Sequence, residues 1–145
     1  MVEVLILIGT FIFMEGFSWF VHKYLFHGPL WFIHKTHHSP RKGWFELNDL
    51  FSLGFGGIAV ILIIVGLPKF TFQFWIGAGI TLYGLVYFIF HDMFIHGRFA
   101  KWKSDNKYLM AIRKGHKVHH KQMKKNPSEE FGLLAVGRKY FKKKQ

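Results

Sequence analysis

The 145 residues of this chain are half hydrophobic and 19% aromatic, which excludes a disordered or linker-dominated protein and fits a single domain. Lysine and arginine number 20 against 8 aspartate and glutamate, and they stand outside long apolar blocks, which excludes an ordinary soluble enzyme. There is no cysteine, so a disulfide framework, a thiolate zinc site, an iron–sulfur cluster and a thiol nucleophile are excluded, and any metal must be held by nitrogen and oxygen.

Residues 4–21 form the first apolar block, interrupted only by Glu15. A bilayer core takes roughly 17–25 apolar residues, so the block predicts a membrane-spanning helix. It reads as a retained helix rather than a signal peptide, because its start is acidic and it runs straight into histidine-rich sequence. Glu15 is costly in hydrocarbon: it is either a functional group facing the same side as His22, seven residues on, or a protonated acid bonding between helices.

Residues 50–68 and 70–90 are the second and third spans, free of charge and joined only through Pro68 and Lys69, which predicts a hairpin. Gly54, Gly56, Gly57, Gly66, Gly77, Gly79 and Gly84 are expected to let these two spans approach closely. Trp19, Tyr24, Trp31, Trp44 and Trp102 are candidate interfacial anchors. A basic tail follows over 97–145. The expected fold is an all-α integral-membrane bundle, with residues 1–145 as one domain.

Apart from Lys69, every lysine and arginine lies between residues 22 and 49 or after His91. The positive-inside rule then puts that loop and the tail in the cytoplasm and the N-terminus outside, in a bacterial inner membrane. The basic tail is read as binding anionic membrane lipid or fixing topology, with an acidic protein partner as the weaker reading and nucleic acid as the weakest.

All ten histidines fall into four boxes: His22-x4-His27, His34-x2-His37-His38, His91-x4-His96 and His116-x2-His119-His120. Each half of the chain supplies an H-x4-H box at the end of a span, then an H-x2-H-H box. On an α-helix the triplets His34/His37/His38 and His116/His119/His120 are expected to aim three nitrogens at one spot. The H-x4-H pairs fit less easily, since five residues turn a helix by about 140°; they either straddle two metals or sit where the helix ends. Ten neutral imidazoles stabilise a fold poorly, whereas they suit two borderline ions such as iron or zinc, with about five nitrogens each and an open position. Asp49 and Asp92 stand beside span ends, and with Asn48 and Glu15 they are candidates to orient ligand imidazoles through the second ring nitrogen.

The stretch from Glu15 through His22 and His27 to Trp31, then His34-Lys-Thr-His-His, Glu46-Leu-Asn-Asp-Leu-Phe, His91-Asp-Met-Phe-Ile-His-Gly-Arg and His116-Lys-Val-His-His resembles the beta-carotene hydroxylase family. That family belongs to the fatty acid hydroxylase/sterol desaturase superfamily of membrane non-haem di-iron enzymes. The resemblance covers about Glu15 to Leu134. It implies C3 hydroxylation of both beta-ionone rings, giving beta-cryptoxanthin and zeaxanthin. It also implies a metal-ligand role for His22, His27, His34, His37, His38, His91, His96, His116, His119 and His120, and two iron ions, with zinc as their stand-in in preparations. Dioxygen is then the co-substrate, and a ferredoxin or similar reductase system the electron donor.

Two other readings stand beside it. One is a related hydroxylase, desaturase or ketolase acting on fatty acyl, sphingoid, sterol or carotenoid lipid; the other is a non-catalytic membrane metal-binding protein. A transporter would place its ligands near the bilayer midplane, whereas these lie at span ends.

Overall fold

A computed structural model describes residues 1–40, 43–99, 102–121, 125 and 129–141, and among these residues it is entirely helical. Five α-helices follow in order: α1 over Val2–Val21, α2 over Trp31–His38, α3 over Asp49–Gly66, α4 over Phe72–Tyr87 and α5 over Lys107–Lys121. Two of them continue without a break into π-helical turns, α1 through His22–Phe26 and α4 through Phe88–Ile95. The stretches Val2–Phe26, Asp49–Lys69 and Phe72–Ile95 are long and apolar enough to cross a membrane. The first and third therefore run five residues beyond the apolar blocks, carrying His22 and His91 inside the helical rods.

Apolar side chains on the outer faces of these rods are left exposed, Ile12 at 66%, Leu53 at 64% and Ile64 at 64% among them, as suits contact with lipid. The hairpin closes through a 3-10 turn at Leu67–Lys69 and a left-handed Phe70, with the Thr71 amide donating to Gly66 O at 3.1 Å. A Cβ at Gly66 would lie 2.2 Å from the Phe74 backbone, and one at Gly77 2.8 Å from Ala59 O, so these two glycines do let α3 and α4 meet. Gly79 serves a different contact, against Thr10 of α1. Gly54, Gly56, Gly57 and Gly84 have nothing within 4 Å of a Cβ, which corrects the close-approach reading for those four.

Gly79 meets Thr10 and Tyr83 meets Glu15 further on, so α1 and α4 run in the same direction, while Gly66 meets Phe74 and Gly77 meets Ala59, so α3 runs in the opposite one. The far ends of α1 and α4, the start of α3, and helices α2 and α5 therefore gather at one end of the bundle. There α5 is amphipathic: Ala111, Ile112, Gly115, His116 and His119 are buried, while Lys107, Lys117 and Lys121 are exposed. Asn106 Oδ1 caps its start by accepting from the Tyr108 and Leu109 amides at 2.9 and 3.1 Å. Its apolar face packs Ile112 with Phe94, Ile95 and Leu133. Of the basic tail read as binding lipid, Lys101, Lys124 and the lysines over 142–144 lie outside the described residues, as do Arg41 and Lys42 of the loop used to set sidedness.

Candidate metal centre

The histidines form two groups rather than one. His22, His27, His34, His38 and His119 bring one ring nitrogen each within 4.8 Å of one another, and His37, His96, His116 and His120 do the same. His91 joins the second group: its Nε2 is 3.1 Å from His37 Nε2, and its ring centroid lies 4.6 Å from His96 and 4.7 Å from His116. Each group thus takes four residues from one half of the chain and one from the other. The exchanged residues are His37 and His119, the middle histidines of the two triplets.

This corrects the expectation that a triplet aims at one spot. Positions i and i+4 lie about 40° apart around an α-helix, but adjacent residues lie about 100° apart. His34 and His38 therefore converge, with Nε2 atoms 3.2 Å apart, while His37 points to the other group. The H-x4-H boxes are reconciled by the π turns. The His27 amide donates to His22 O at 2.9 Å and the His96 amide to His91 O at 3.0 Å, i to i+5 bonds that bring residues five apart onto one face.

The outer ring nitrogens decide the protonation pattern. Nδ1 of His22, His27 and His119 each face a backbone carbonyl, Phe131 O at 2.8 Å, Lys125 O at 2.9 Å and Glu129 O at 2.8 Å. Nδ1 of His34 faces Asn48 Oδ1 at 2.7 Å, His37 faces Glu46 Oε2 at 3.0 Å and His91 faces Asp92 Oδ1 at 2.9 Å. All six partners are acceptors, so each Nδ1 donates and, in a neutral ring, each Nε2 is left as a bare lone pair. Yet Nε2 of His22 faces that of His34 at 3.0 Å, His27 faces His119 at 3.2 Å, and His37 faces His91 at 3.1 Å.

Burial opposes protonation of the rings that lie beyond the spans. Burial holds His34 down to about 2 and His119 to about 4, and lowers His27, His116 and His120 as well, with neighbouring imidazoles adding to the effect at His34, His116 and His120. Lone pairs converging in neutral, buried groups fit a cation between them, and the histidine clusters are able to bind metal.

Asn48 and Asp92 thus lie on ligand-type imidazoles, as does Glu46, an acid nine residues after His37 that its position alone did not single out. The three backbone carbonyls carry no side-chain signal at all. Asp49 takes another place: its carboxylate pairs with Arg98 and accepts the Glu46 amide at 3.0 Å. Glu15 likewise turns to Tyr83 and the C-terminal loop. Trp31 packs on the imidazoles of His27 and His38, with centroids 4.9 and 5.2 Å away.

Two cavities reach the histidines. A polar mouth of about 330 Å³ is lined by His37, His96, His120, Glu46, Asp92 and Arg98. An apolar chamber of about 360 Å³ lies between α1, α3 and α4. Its walls include the lipid-facing Val60, Leu85 and Phe88, so it opens sideways from the bundle. Its inner end is made by Phe26, Asn48, Tyr87 and Asp92. Every one of these touches an imidazole: Phe26 lies 5.4 Å from the His34 ring, Tyr87 stacks on His91 at 4.4 Å, and Asn48 and Asp92 hold the two Nδ1 atoms.

The fatty acid hydroxylase family matches residues 7–137, nearly the whole described bundle. The chain belongs to that family. It is also 42% identical to a beta-carotene hydroxylase of Pseudescherichia vulneris, over 92% of this chain and 77% of the relative. To one of Pantoea ananas it is 40% identical, over 90% of this chain and 75% of the relative. A chloroplastic beta-carotene 3-hydroxylase of Arabidopsis thaliana is 36% identical over 78% of this chain and 38% of its own length. These similarities place the chain in the beta-carotene hydroxylase branch. No solved structure matches it.

Proposed function

We propose that this chain hydroxylates C3 of the beta-ionone rings of beta-carotene, giving beta-cryptoxanthin and then zeaxanthin. The observation that carries this reading is the apolar chamber, open to lipid on one side and ending on the residues that hold His34 and His91. A hydrocarbon dissolved in the bilayer has no polar handle, so shape and exclusion of water must place it. Phe51 and Phe55 supply the aromatic wall, and Gly56 and Gly84 keep the slot between α3 and α4 wide enough for a ring.

The ten histidines His22, His27, His34, His37, His38, His91, His96, His116, His119 and His120 are assigned as ligands of two iron ions. Iron bound there supplies the reduction of dioxygen and the delivery of one oxygen atom to an unactivated ring carbon. Each hydroxylation puts one oxygen into the alcohol and the other into water, so two electrons and two protons enter from outside; a ferredoxin or similar reductase system is assigned as the donor. Asn48, Asp92 and Glu46 fix the orientations of the His34, His91 and His37 rings by accepting their Nδ1 protons, which leaves the Nε2 atoms of those three rings free to bind. The polar mouth at Glu46, Asp92 and Arg98 admits water and protons, with Asp92 standing between it and the apolar chamber. Residues 1–145 act as one domain, with the histidine end in the cytoplasm and the N-terminus outside, in keeping with the distribution of lysine and arginine.

The test is expression in a bacterial host that accumulates beta-carotene, followed by chromatography of the pigments. Zeaxanthin with some beta-cryptoxanthin is expected. Unchanged beta-carotene in cells containing folded, iron-loaded protein would reject the substrate.

A further inference from the structure

Glu15 sits on α1 at the depth of the span, with no imidazole among its bonded partners, and its carboxylate is nonetheless fully engaged. Oε1 accepts from the amides of Leu133, Leu134 and Ala135 at 3.1, 2.8 and 3.0 Å, and Oε2 accepts from the Tyr83 hydroxyl at 2.9 Å. Three consecutive amides on one oxygen form an anion-binding concavity. The fit is close on the loop side too, since a Cβ at Gly132 would lie 3.2 Å from Oε1. The loop gripped in this way contains Phe131 and begins two residues after Glu129, and the carbonyls of these two residues hold Nδ1 of His22 and His119. His22 comes from the first span and His119 from α5, so the loop is what ties these two members of the first group to a common support.

We propose that Glu15 is a positioning residue, a latch that seats the 131–135 loop against α1 and so fixes the ring orientations of His22 and His119. In the second group the Nδ1 atoms of His37 and His91 are held by Glu46 and Asp92 instead of by this loop. The latch is therefore assigned to the first group. Tyr83 also lines the apolar chamber, so the latch stands behind the chamber wall without entering it. The inference rests on the assignment of the histidines as metal ligands, and its test separates the two.

Full-length chain is purified from membranes as wild type, E15A, E15Q and G132V, and iron per chain is measured alongside trypsin cleavage after Arg138 and Lys139. Wild type is expected to hold about two ions and to resist cleavage, in line with its two groups. E15A and G132V, breaking the latch from opposite sides, are each expected to fall to about one ion, to be cut after Arg138 and Lys139 just beyond the loop, and to lose about 10–100-fold in turnover, the usual scale for losing support behind a ligand. The E15A/G132V double variant is expected to be no worse than either alone, because both remove one interaction. E15Q keeps an oxygen for the three amides and an amide for Tyr83, so it is expected to recover most of the metal and the protection. Wild type without metal would overturn the ligand assignment and the latch together. Wild type with two ions and an equally loaded, protected E15A would overturn the latch alone, as would an E15Q variant as impaired as E15A.

Discussion

The two histidine groups repeat one sequence pattern but are supported by different chemistry. The first is held from behind by neutral acceptors: the carbonyls of Phe131, Lys125 and Glu129 and the amide oxygen of Asn48. The second has carboxylates behind two of its rings, Glu46 on His37 and Asp92 on His91, and Arg98 lies 3.9 Å from Asp92 while pairing with Asp49. A carboxylate behind an imidazole raises its basicity and offsets the charge of a bound cation, whereas a carbonyl chiefly orients the ring. A repeated motif thus specifies the ligands and their order, while the outer partners make the two pockets chemically unequal: the second is expected to hold its ion more tightly, and the first to depend on a loop.

The largest expected effect breaks the comparison at an exchanged residue and its neighbour. His37→Ala and His38→Ala change neighbouring positions on α2, yet these side chains belong to different groups. Each substitution is expected to abolish hydroxylation and leave about one ion per chain, with H37A losing the ion of the second pocket and H38A that of the first. Mössbauer spectra of the two variants should therefore differ, each retaining the component the other lacks. Matching spectra would mean that the triplet serves a single ion and that the crossover is wrong.

A smaller effect is expected behind the ligands. Asp92→Asn keeps an acceptor for His91 Nδ1 but removes one of the two carboxylates behind the second pocket, bringing its support closer to that of the first while Glu46 stays on His37. Stepwise removal of iron by a chelator should give two separated phases in wild type, and D92N should shift the tighter phase toward the weaker by about 10–100-fold. Two phases left in place by D92N would show that carboxylate support does not distinguish the pockets.

How much of this was legible beforehand follows from the kind of group involved. The three spans and the gathering of the boxes at one end follow from apolar length and charge, quantities carried by side chains in blocks. The split into two groups is not readable from H-x2-H-H spacing under the assumption that three neighbours share a face. It needs the rotation between His37 and His38, together with the partner helix that gives each a destination. The π turns at His22–Phe26 and Phe88–Ile95 are a backbone choice made in tertiary context, and the five-residue spacing hints at them only once both histidines are required on one side. Glu15 reads from the sequence as an anomaly in an apolar span, but its amide partners lie more than a hundred residues away on a loop with no recognisable motif.

The smallest effect separates metal binding from substrate access. Gly77 and Gly84 lie two turns apart on α4 and look alike in the sequence, but a Cβ at Gly77 would meet Ala59 O at 2.8 Å, while one at Gly84 would meet nothing within 4 Å and would stand in the chamber wall. Leucine at position 84 should therefore fold, load both pockets and release iron in the same two phases as wild type, because the chamber meets the imidazoles at its inner end, through Phe26, Asn48, Tyr87 and Asp92. What should fall is kcat/KM for beta-carotene, by about tenfold, the scale on which an added apolar group discriminates within a hydrophobic pocket. If G84L instead lost iron, the chamber and the pockets would be one packed unit, and the contrast between the two groups could no longer be drawn from their outer partners alone.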